Sequence, residues 1–171
     1  PVLHIDVAAT SLYFAGIEVP KYMEAQSLFG SNAVKRKFAV SARDRCDETY
    51  DRIRAVRTSR YKYIRNGYPN RPHLQPCAYK DNKDTYLAIR EWGEKGKLTN
   101  LQKELLLSPA RTKEELYDLS NDPWELENLA DSPNHLKALQ KMRKTLDLWI
   151  KETGDHGQKV EPMKMYDSDM K

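Results

Sequence analysis

Cysteine is scarce in this sequence of 171 residues, with Cys46 and Cys77 as the only two. Neither belongs to a Cys-x-x-Cys pair or to another spacing typical of metal ligands, which excludes a metal site built on cysteine pairs. The two thiols could form a disulfide in an oxidising compartment. We expect free thiols, although the sequence leaves the pairing open.

Long apolar segments are absent as well. No run approaches the roughly 18 apolar residues of a membrane span, and no signal-like hydrophobic segment opens the chain as written. A membrane partner is therefore not expected. The first residue is Pro1 and an apolar helical pattern follows almost at once. We expect the chain to be part of a larger protein, and whether it is a natural product or a fragment stays open.

Neither sign of charge dominates the composition. The chain has 29 Lys and Arg residues against 25 Asp and Glu residues, which gives a net charge of +4. This balance permits nucleic acid as a partner without demanding one, and the chain has no recognised nucleic-acid-binding motif. The length suits one domain with a buried core, or the terminal part of a larger domain.

Residues 51–66 are the most informative stretch of the chain. Two short runs rich in Ile, Val and Tyr meet at residues 58–60, a pattern that predicts a β-hairpin. Six basic residues and no acidic one lie from Arg52 to Arg65. This hairpin should therefore lie against an anion or against carboxylates of the same protein.

Two interpretations of the hairpin charge follow. In the first, Tyr61, Tyr63 and Tyr68 stack nucleobases between the cations, as in proteins that bind single strands. In the second, the cations pair with carboxylates within residues 114–122, on the next predicted strand and turn. The second interpretation is favoured because it explains the pattern without a further ligand.

The remaining patterns indicate an α+β arrangement, with three or four antiparallel strands and helices on one face. Besides the hairpin, strands are predicted at residues 37–42 and 114–119, and helices at residues 6–15, 84–95, 100–107 and 132–154. The first helix should be mostly core, with Asp6 as its N-cap. An apolar stripe on the last helix should pack on the sheet.

Two parts of the chain resemble type I sulfatases in their amino-acid sequence. Residues 4–10 (HIDVAAT) and 15–20 (AGIEVP) are similar to the family passage HIDLAPTLLDLAGIEVP. Residues 54–58 (RAVRT) and 60–64 (RYKYI) are similar to the family hairpin RAVRTERYKYI.

A third passage extends the resemblance. Residues 115–123 (ELYDLSNDP) and 127–130 (ENLA) are similar to the family strand and turn ELYDLENDPxExxNLA. The three matches follow the family order and cover the chain to about Asp155. Residues 43–48 (RDRCDE) and 66–72 (NGYPNRP) most resemble bacterial members of the heparan N-sulfatase (N-sulfoglucosamine sulfohydrolase) kind.

The resemblance implies an alkaline-phosphatase-like α/β fold, in which a large domain carries the chemistry. A smaller C-terminal α+β part would contain an antiparallel sheet of three or four strands packed with a C-terminal helix. On this basis residues 1–36 are the end of the large domain, residues 37–155 are the C-terminal subdomain, and residues 156–171 are a mobile or clamped tail.

The resemblance also implies a reaction. In the family, sulfate is transferred to the hydrate of a formylglycine made from Cys or Ser in Cys/Ser-x-Pro-x-Arg, beside a calcium ion held by carboxylates and an Asn. Neither cysteine has this motif, and residues 108–111 (SPAR) follow Leu107 where the nucleophile belongs. Asp81 and Asn82 look like a calcium pair but stand at the wrong place in the family order. We therefore expect no catalytic or metal-binding residue here and place the nucleophile and calcium ligands upstream of Pro1.

For substrate contact we predict Arg43, Arg45, Asp47, Glu48 and His73. Guanidinium groups can bind sulfate or carboxylate oxygens of a sulfated sugar, and carboxylates can accept hydrogen bonds from its hydroxyls or amine. The resemblance implies that the loop after this strand lies near the mouth of the pocket. Alternatively these charges pair with one another and with the hairpin arginines on a solvated edge, and the sequence does not separate the two.

The sequence and the resemblance together predict the C-terminal part of a sulfatase that acts on sulfate esters or N-sulfates of a carbohydrate, such as a glycosaminoglycan. By resemblance, the intact enzyme would be periplasmic or extracellular. The segment would complete the fold and line the substrate pocket, with the sulfated sugar and the N-terminal catalytic domain as partners, and would be inactive by itself. The alternative is a non-catalytic module that binds an acidic partner or nucleic acid through the hairpin.

Overall fold

The computed structural model describes residues 1–31, 33, 35–46 and 49–157. The described elements are helix α1 (Ile5–Phe14), strands β1 (Ala39–Cys46), β2 (Thr49–Arg57) and β3 (Tyr61–Asn66), helices α2 (Ala78–Asp81), α3 (Asp84–Glu94) and α4 (Asn100–Leu107), strand β4 (Glu114–Asp118), and, after a 3-10 turn at Pro133–His135, helix α5 (Leu136–Thr153). None of these helices combines the length and the apolar character needed to span a membrane.

The four strands form one antiparallel sheet in the order β1-β2-β3-β4. The predicted hairpin is confirmed as β2 and β3, with Val56 opposite Tyr63. Thr58 stabilises the connecting turn, because its Oγ1 accepts a hydrogen bond from the backbone N–H of Tyr61 at 2.9 Å. The predicted strand near residue 114 is also confirmed, as β4 beside β3.

Strand β1 extends further than the sequence indicated. The prediction of a loop at residues 43–48 is wrong for residues 43–46, because these residues continue the strand and pair with β2. The pairing register shifts between Arg43 and Arg45, which marks an irregularity of the β-bulge kind. Charged side chains are tolerated here because β1 is an edge strand with a neighbour on one side only.

The inner face of the sheet, defined by Val56, Tyr63 and Leu116, packs against α5. The buried core cluster consists of these three residues together with Leu139, Met142 and Leu146. The three α5 residues recur at helical spacing, so the predicted apolar stripe is confirmed for them, whereas Leu136 at its start is 49 % exposed. Burying each large apolar side chain contributes about 1.5–3 kcal/mol.

The opposite, outer face of the sheet carries the buried polar residues Asp51, Asn66 and Glu115. The loops that follow β3 and precede β4 cross this face and hydrogen-bond to each other, since the backbone N–H of Arg111 donates to the carbonyl of Pro69 at 2.8 Å. The sheet is therefore covered on both sides, by an apolar helix on one and by polar loops on the other.

Helix α1 occupies the predicted segment, and Gly16 after it has a left-handed conformation, with φ +69°. Within this chain the helix is not mostly buried, because Val7 is 55 % and Phe14 is 69 % exposed. Only Asp6 and Ala9 of the helix are buried. The loop that follows α1 covers this one narrow side and leaves the rest of the apolar surface open.

Asp6 does not serve as the predicted N-cap of α1, since it lies within the first turn of the helix. Its carboxylate accepts hydrogen bonds from the backbone N–H of Leu3 at 2.9 Å, from that of Gln26 at 3.0 Å and from Nε of Arg36 at 2.8 Å. The Arg36 hydrogen bond outweighs burial and holds the pKa of Asp6 well below its usual range. Asp6 thus ties α1 to the loop after it.

Helices α3 and α4 occupy the predicted segments, and the residues at their ends are typical of helix ends. Thr99 caps α4 in a capping box with Gln102, in which each side chain binds the other residue's backbone N–H. Gly96 after α3 has φ +66°, as expected of a residue that ends a helix. The segment that begins at Gly67 is irregular until the short helix α2 begins at Ala78.

Helix α5 ends at Gly154, where the sequence predicted its end, and Gly154 is a left-handed cap with φ +61°. Just beyond it, Asp155 forms an ion pair with the buried Arg54 of β2, with Nε and Oδ2 2.7 Å apart. Arg54 also binds Asp44 of β1, with Nη1 and Oδ1 2.7 Å apart. This three-residue clamp fixes the end of α5 to the sheet, and most of the predicted tail lies outside the described residues.

Candidate functional site

The outer face is organised by a buried ion pair between Asp51 of β2 and Arg111 of the loop before β4. Two nearly parallel hydrogen bonds join them, from Nη1 to Oδ2 at 2.8 Å and from Nη2 to Oδ1 at 2.9 Å. Gln75 adds a hydrogen bond from Nε2 to Oδ2 at 2.7 Å. Burial alone would raise the pKa of Asp51, but the donors on Arg111 and the backbone N–H of Arg52 lower it. Asp51 is therefore a fixed carboxylate.

Arg111 also holds the loop that covers the outer face. Its Nε donates to the carbonyl of Arg71 at 3.1 Å, and its Nη2 donates to the carbonyl of Tyr68 at 3.1 Å. A guanidinium presents several donors in one plane, so a single side chain can satisfy Asp51 and two loop carbonyls together. The loop's position over the sheet thus depends on Arg111.

Glu115 of β4 is the second carboxylate of this face. It accepts hydrogen bonds from Nδ2 of Asn66 at 2.6 Å and from the hydroxyl of Tyr117 at 2.8 Å. Burial and the neighbouring Glu115 raise the pKa of Tyr117, so the phenol stays a proton donor. Both oxygens of Glu115 are therefore oriented by neighbours on the same face.

A cleft of about 360 Å³ lies beside these groups. Its lining is mixed. Leu105, Ala110 and Leu126 contribute apolar surface, and hydroxyl, carboxylate, imidazole and guanidinium groups come from His73, Glu104, Ser108, Arg111, Thr112, Glu115 and Tyr117. Such groups match the hydroxyl and charged groups of a modified sugar.

His73, an exposed residue of the loop after β3, lines this cleft. Crowding by protein atoms lowers its pKa, because partial desolvation disfavours the imidazolium, and the charges of Glu115, Arg111, Asp51 and Arg43 also act on it. A lowered pKa favours the neutral ring, which can donate and accept hydrogen bonds.

Of the predicted substrate residues, the structure brings Arg43 and His73 to the same side of the sheet. Arg43 pairs with Ile53 in the register of β1 and β2, and its charge acts on both Asp51 and His73. Arg45 lies further along β1, opposite Tyr50. The other two predicted residues, Asp47 and Glu48, lie outside the described part of the chain. The assignment of these residues to substrate contact stays a prediction.

The hairpin cations are largely neutralised. Among the residues that the structure describes, ion pairs are formed by four of the six: Arg54 with Asp44 and Asp155, Arg60 with Asp118, Lys62 with Glu125, and Arg65 with Asp147. The predicted pairing with the next strand is thus confirmed at Asp118. Glu114 instead binds Arg143 of α5. Asp122 accepts hydrogen bonds from backbone N–H groups of its own turn.

The sequence reasoning missed the residues that organise the outer face. Arg111 was considered only as the end of an incomplete nucleophile motif, and Asp51 only as the start of the hairpin. Glu115 and Tyr117 did carry a signal, because alternate residues of a strand point to the same face and these two are polar or amphipathic.

Within the described ranges, no group of three or more His, Cys, Asp or Glu side chains is placed to hold a metal ion. Asp81 bonds to its own helix start and to a neighbouring helix, since its Oδ2 accepts from the backbone N–H of Cys77 at 3.0 Å and its Oδ1 accepts from Arg90 at 2.8 Å. Asp81 is the last residue of α2 and Asn82 is its C-cap, so the Asp81 carboxylate is engaged in contacts within the chain.

Comparisons with known proteins identify the chain as homologous to part of the sulfatases. An ulvan-active sulfatase of Formosa agariphila is 36% identical over 152 residues, which are 88% of this chain and 25% of that protein. No protein-family model matches the chain. The chain thus spans about a quarter of the length of this curated relative.

Solved structures show the same fold. A 2-O GAG sulfatase matches with a TM-score of 0.58 and 23% identity, over 91% of this chain and 26% of that one. A protein in complex with its substrate D-glucosamine-2-N,6-O-disulfate matches with a TM-score of 0.53 and 20% identity, over 91% of this chain and 25% of that one. The four-stranded sheet with its C-terminal helix is therefore a part of the alkaline-phosphatase-like sulfatase fold, as the sequence predicted.

Proposed function

We propose that this chain is the C-terminal part of a sulfatase that hydrolyses sulfate esters or N-sulfates of a sulfated carbohydrate. The observation that carries the proposal is the 36% identity to an ulvan-active sulfatase over 88% of the chain. The resemblance to heparan N-sulfatases rests on residues 43–48 and 66–72 alone, whereas the similarity to the ulvan-active sulfatase covers 152 residues. Whether the substrate carries an O-sulfate or an N-sulfate therefore stays a prediction. A periplasmic or extracellular location is part of the same proposal.

The proposed contribution of this chain is a wall of the substrate pocket, formed by its outer face. Arg43 supplies a guanidinium that matches two oxygens of a sulfate or carboxylate group. His73, with its lowered pKa, supplies a neutral hydrogen-bonding group. The fixed pair of Asp51 and Arg111 holds the loop that carries His73 against β2, the strand with which Arg43 pairs. A protein of related fold has been solved in complex with its substrate D-glucosamine-2-N,6-O-disulfate, which is a sulfated sugar.

The chemical step is assigned to the rest of the protein. The sequence has no Cys/Ser-x-Pro-x-Arg motif, so the formylglycine precursor and the calcium ligands of this proposal belong outside the chain. Calcium would supply charge stabilisation for the transferred sulfate there. The residues of this chain orient the sugar, and the chain by itself is expected to release no sulfate.

The alternative, a module that binds nucleic acid through the hairpin, is not favoured by any described contact. Four of the six hairpin cations are committed to carboxylates, and Tyr63 is fully buried in the core. A base-stacking surface needs exposed rings between available cations. The hairpin therefore serves the stability of the sheet.

Sulfate release by the full-length protein tests the proposed function. Purified protein is incubated with sulfated polysaccharides, including ulvan and heparan sulfate, and free sulfate is quantified by ion chromatography. The proposal predicts release from at least one sulfated carbohydrate and none from this chain alone. Failure to release sulfate from any of them, together with tight, salt-sensitive binding of single-stranded nucleic acid, would support the alternative.

A further inference from the structure

The loop after β3 begins with a close backbone contact that fixes its path. The N–H of Gly67 donates to the carbonyl of Arg52 at 2.7 Å. Four residues later the carbonyl of Arg71 accepts from Arg111, as does that of Tyr68. Both ends of this short segment are therefore held by the sheet or by a buried side chain, which places the side chains between them in a fixed arrangement.

Within this segment, Arg71 lies between two tyrosine rings. Its guanidinium carbon is 4.4 Å from the ring centre of Tyr50 and 4.6 Å from that of Tyr68. The two rings are 5.7 Å apart and meet edge to face, at 80°. Nη1 of Arg71 donates to the carbonyl of Tyr50 at 2.7 Å. Two cation–π contacts and one hydrogen bond thus hold the guanidinium in place.

Within the described ranges, Arg71 differs from the ion-paired cations of the hairpin in having no carboxylate beside it. No carboxylate of the described residues pairs with Arg71, whereas Arg54, Arg60 and Arg65 each bind at least one. Arg71 and both tyrosines are only half-buried. A guanidinium has several N–H donors, and Arg71 uses only one of them in the described contacts, so the others are available to an external acceptor.

The chemistry of this group fits an anionic sugar. A planar guanidinium donates two hydrogen bonds side by side to a carboxylate or a sulfate, and each tyrosine offers an apolar ring edge with a hydroxyl. Stacking of nucleobases is less well accommodated, because the two rings meet edge to face with the guanidinium against both. The link through Arg111 places the group next to the cleft at His73.

We propose that Arg71, Tyr50 and Tyr68 form a second subsite, which binds the carboxylate or sulfate of the sugar next to the one that is desulfated. This inference rests on the proposed function and extends it from a single sulfated sugar to an anionic oligosaccharide. The subsite would select substrates that carry a negative charge on the neighbouring unit.

The test compares two substrates in the full-length protein. kcat/KM is measured on a sulfated tetrasaccharide prepared from heparin and on the corresponding sulfated monosaccharide. Arg71→Gln keeps a donor for the Tyr50 carbonyl but removes the charge. The ratio of kcat/KM for the tetrasaccharide to that for the monosaccharide should fall about tenfold or more, the loss typical of a charge-assisted hydrogen bond. An unchanged ratio would overturn the proposal.

A matched control and a second variant make the result specific. Lys83 lies 4.6 Å from the ring centre of Tyr79 in a separate cation–π contact, so Lys83→Gln should leave the ratio unchanged. Tyr68→Leu removes one ring but not the hydrogen bond of Arg71, and should also lower the ratio. Tetrasaccharides that lack either the carboxylate or the sulfate of the neighbouring sugar then show which group Arg71 binds. Arg71→Gln should have no effect on the tetrasaccharide that lacks the bound group, and should still lower kcat/KM for the other one.

Direct binding separates this inference from the proposed function. If the protein releases no sulfate, calorimetric titration with the heparin tetrasaccharide still tests the subsite. Binding that weakens in Arg71→Gln but not in Lys83→Gln would support the subsite while the proposed function fails. Equal binding by both variants, or Arg71-dependent binding of a single-stranded oligonucleotide instead of the tetrasaccharide, would overturn the subsite.

Discussion

Asp51 and Arg111 lie 60 positions apart in the sequence and form a two-pronged ion pair beneath the outer face of the sheet. Both side chains are almost completely buried, at 0% and 1% exposure. Because Arg111 also binds the carbonyls of Tyr68 and Arg71, this pair joins β2, the loop after β3 and the loop before β4.

Substitution of Asp51 tests how much this pair stabilises the fold. Asp51→Asn leaves the Arg111 guanidinium buried without a matching charge, so the free energy of unfolding should fall by about 3–5 kcal/mol. Urea denaturation of the full-length protein measures the change. Asp147→Asn is the matched control, since Asp147 also binds an arginine at 2.7 Å but is 60% exposed, and it should cost about 1 kcal/mol or less. Equal costs for the two variants would contradict the account.

The clamp between Arg54 and Asp155 predicts a dependence of stability on acid. The Arg54 hydrogen bond, which outweighs burial, lowers the pKa of Asp155 from 3.8 to about 2. A carboxyl with a lowered pKa in the folded state stabilises the fold above its unfolded pKa and loses this effect as the pH falls toward its folded pKa. The contribution is about 2 kcal/mol, and it should disappear between about pH 4 and pH 2.

Unfolding of the parent protein and of Asp155→Asn, measured over that range, checks this expectation. The difference in the free energy of unfolding should be constant above about pH 5 and should shrink toward zero near pH 2. A difference of the same size at pH 2 and pH 7 would show that Asp155 stabilises the end of α5 by some means other than its charge.

The backbone of Arg52 lies so close to Gly67 that a larger residue at position 67 should destabilise the fold. A Cβ at this position would lie 2.9 Å from the Arg52 carbonyl oxygen and 2.8 Å from the Arg52 Cβ, and the backbone cannot yield easily. Gly67→Ala should therefore destabilise the protein by about 1–3 kcal/mol, as overpacking typically does. The measurement is urea denaturation.

Gly93→Ala provides the contrast for this prediction. The Cβ there would meet the end of the flexible Leu107 side chain, which can move aside, and alanine favours helix formation at this position in α3. We expect Gly93→Ala to be neutral or stabilising. If both glycine substitutions had the same effect, the backbone contact at Gly67 would not be the cause.

The parts of the fold that depend on local signals were predictable from the sequence. The β2–β3 hairpin, the Thr99 cap and the Gly154 end each follow from residues within one turn or one hairpin. The stripe on α5 was predictable because its spacing alone marks the buried side. These signals need no knowledge of distant parts of the chain.

The outer face was not predictable, because its contacts join residues far apart in the sequence. Asn66 and Glu115 lie 49 positions apart, and no local pattern marks them as partners. The exposure of α1 within this chain was not predictable, because apolar residues at helical spacing indicate that one face of a helix can be covered but do not identify what covers it. The extension of β1 was missed because charged residues at a strand end were interpreted as a loop.

Steady-state kinetics of Arg43→Ala in the full-length protein test the central claim, that the outer face takes part in substrate binding. Arg57 is the matched control, because it lies on β2 in register with the far end of β1 and is exposed. The account predicts that Arg43→Ala lowers kcat/KM for a sulfated carbohydrate about tenfold or more, the loss of a charge-assisted hydrogen bond. Arg57→Ala should change kcat/KM by less than about twofold. Equal kcat/KM values for Arg43→Ala and the parent protein would contradict the account.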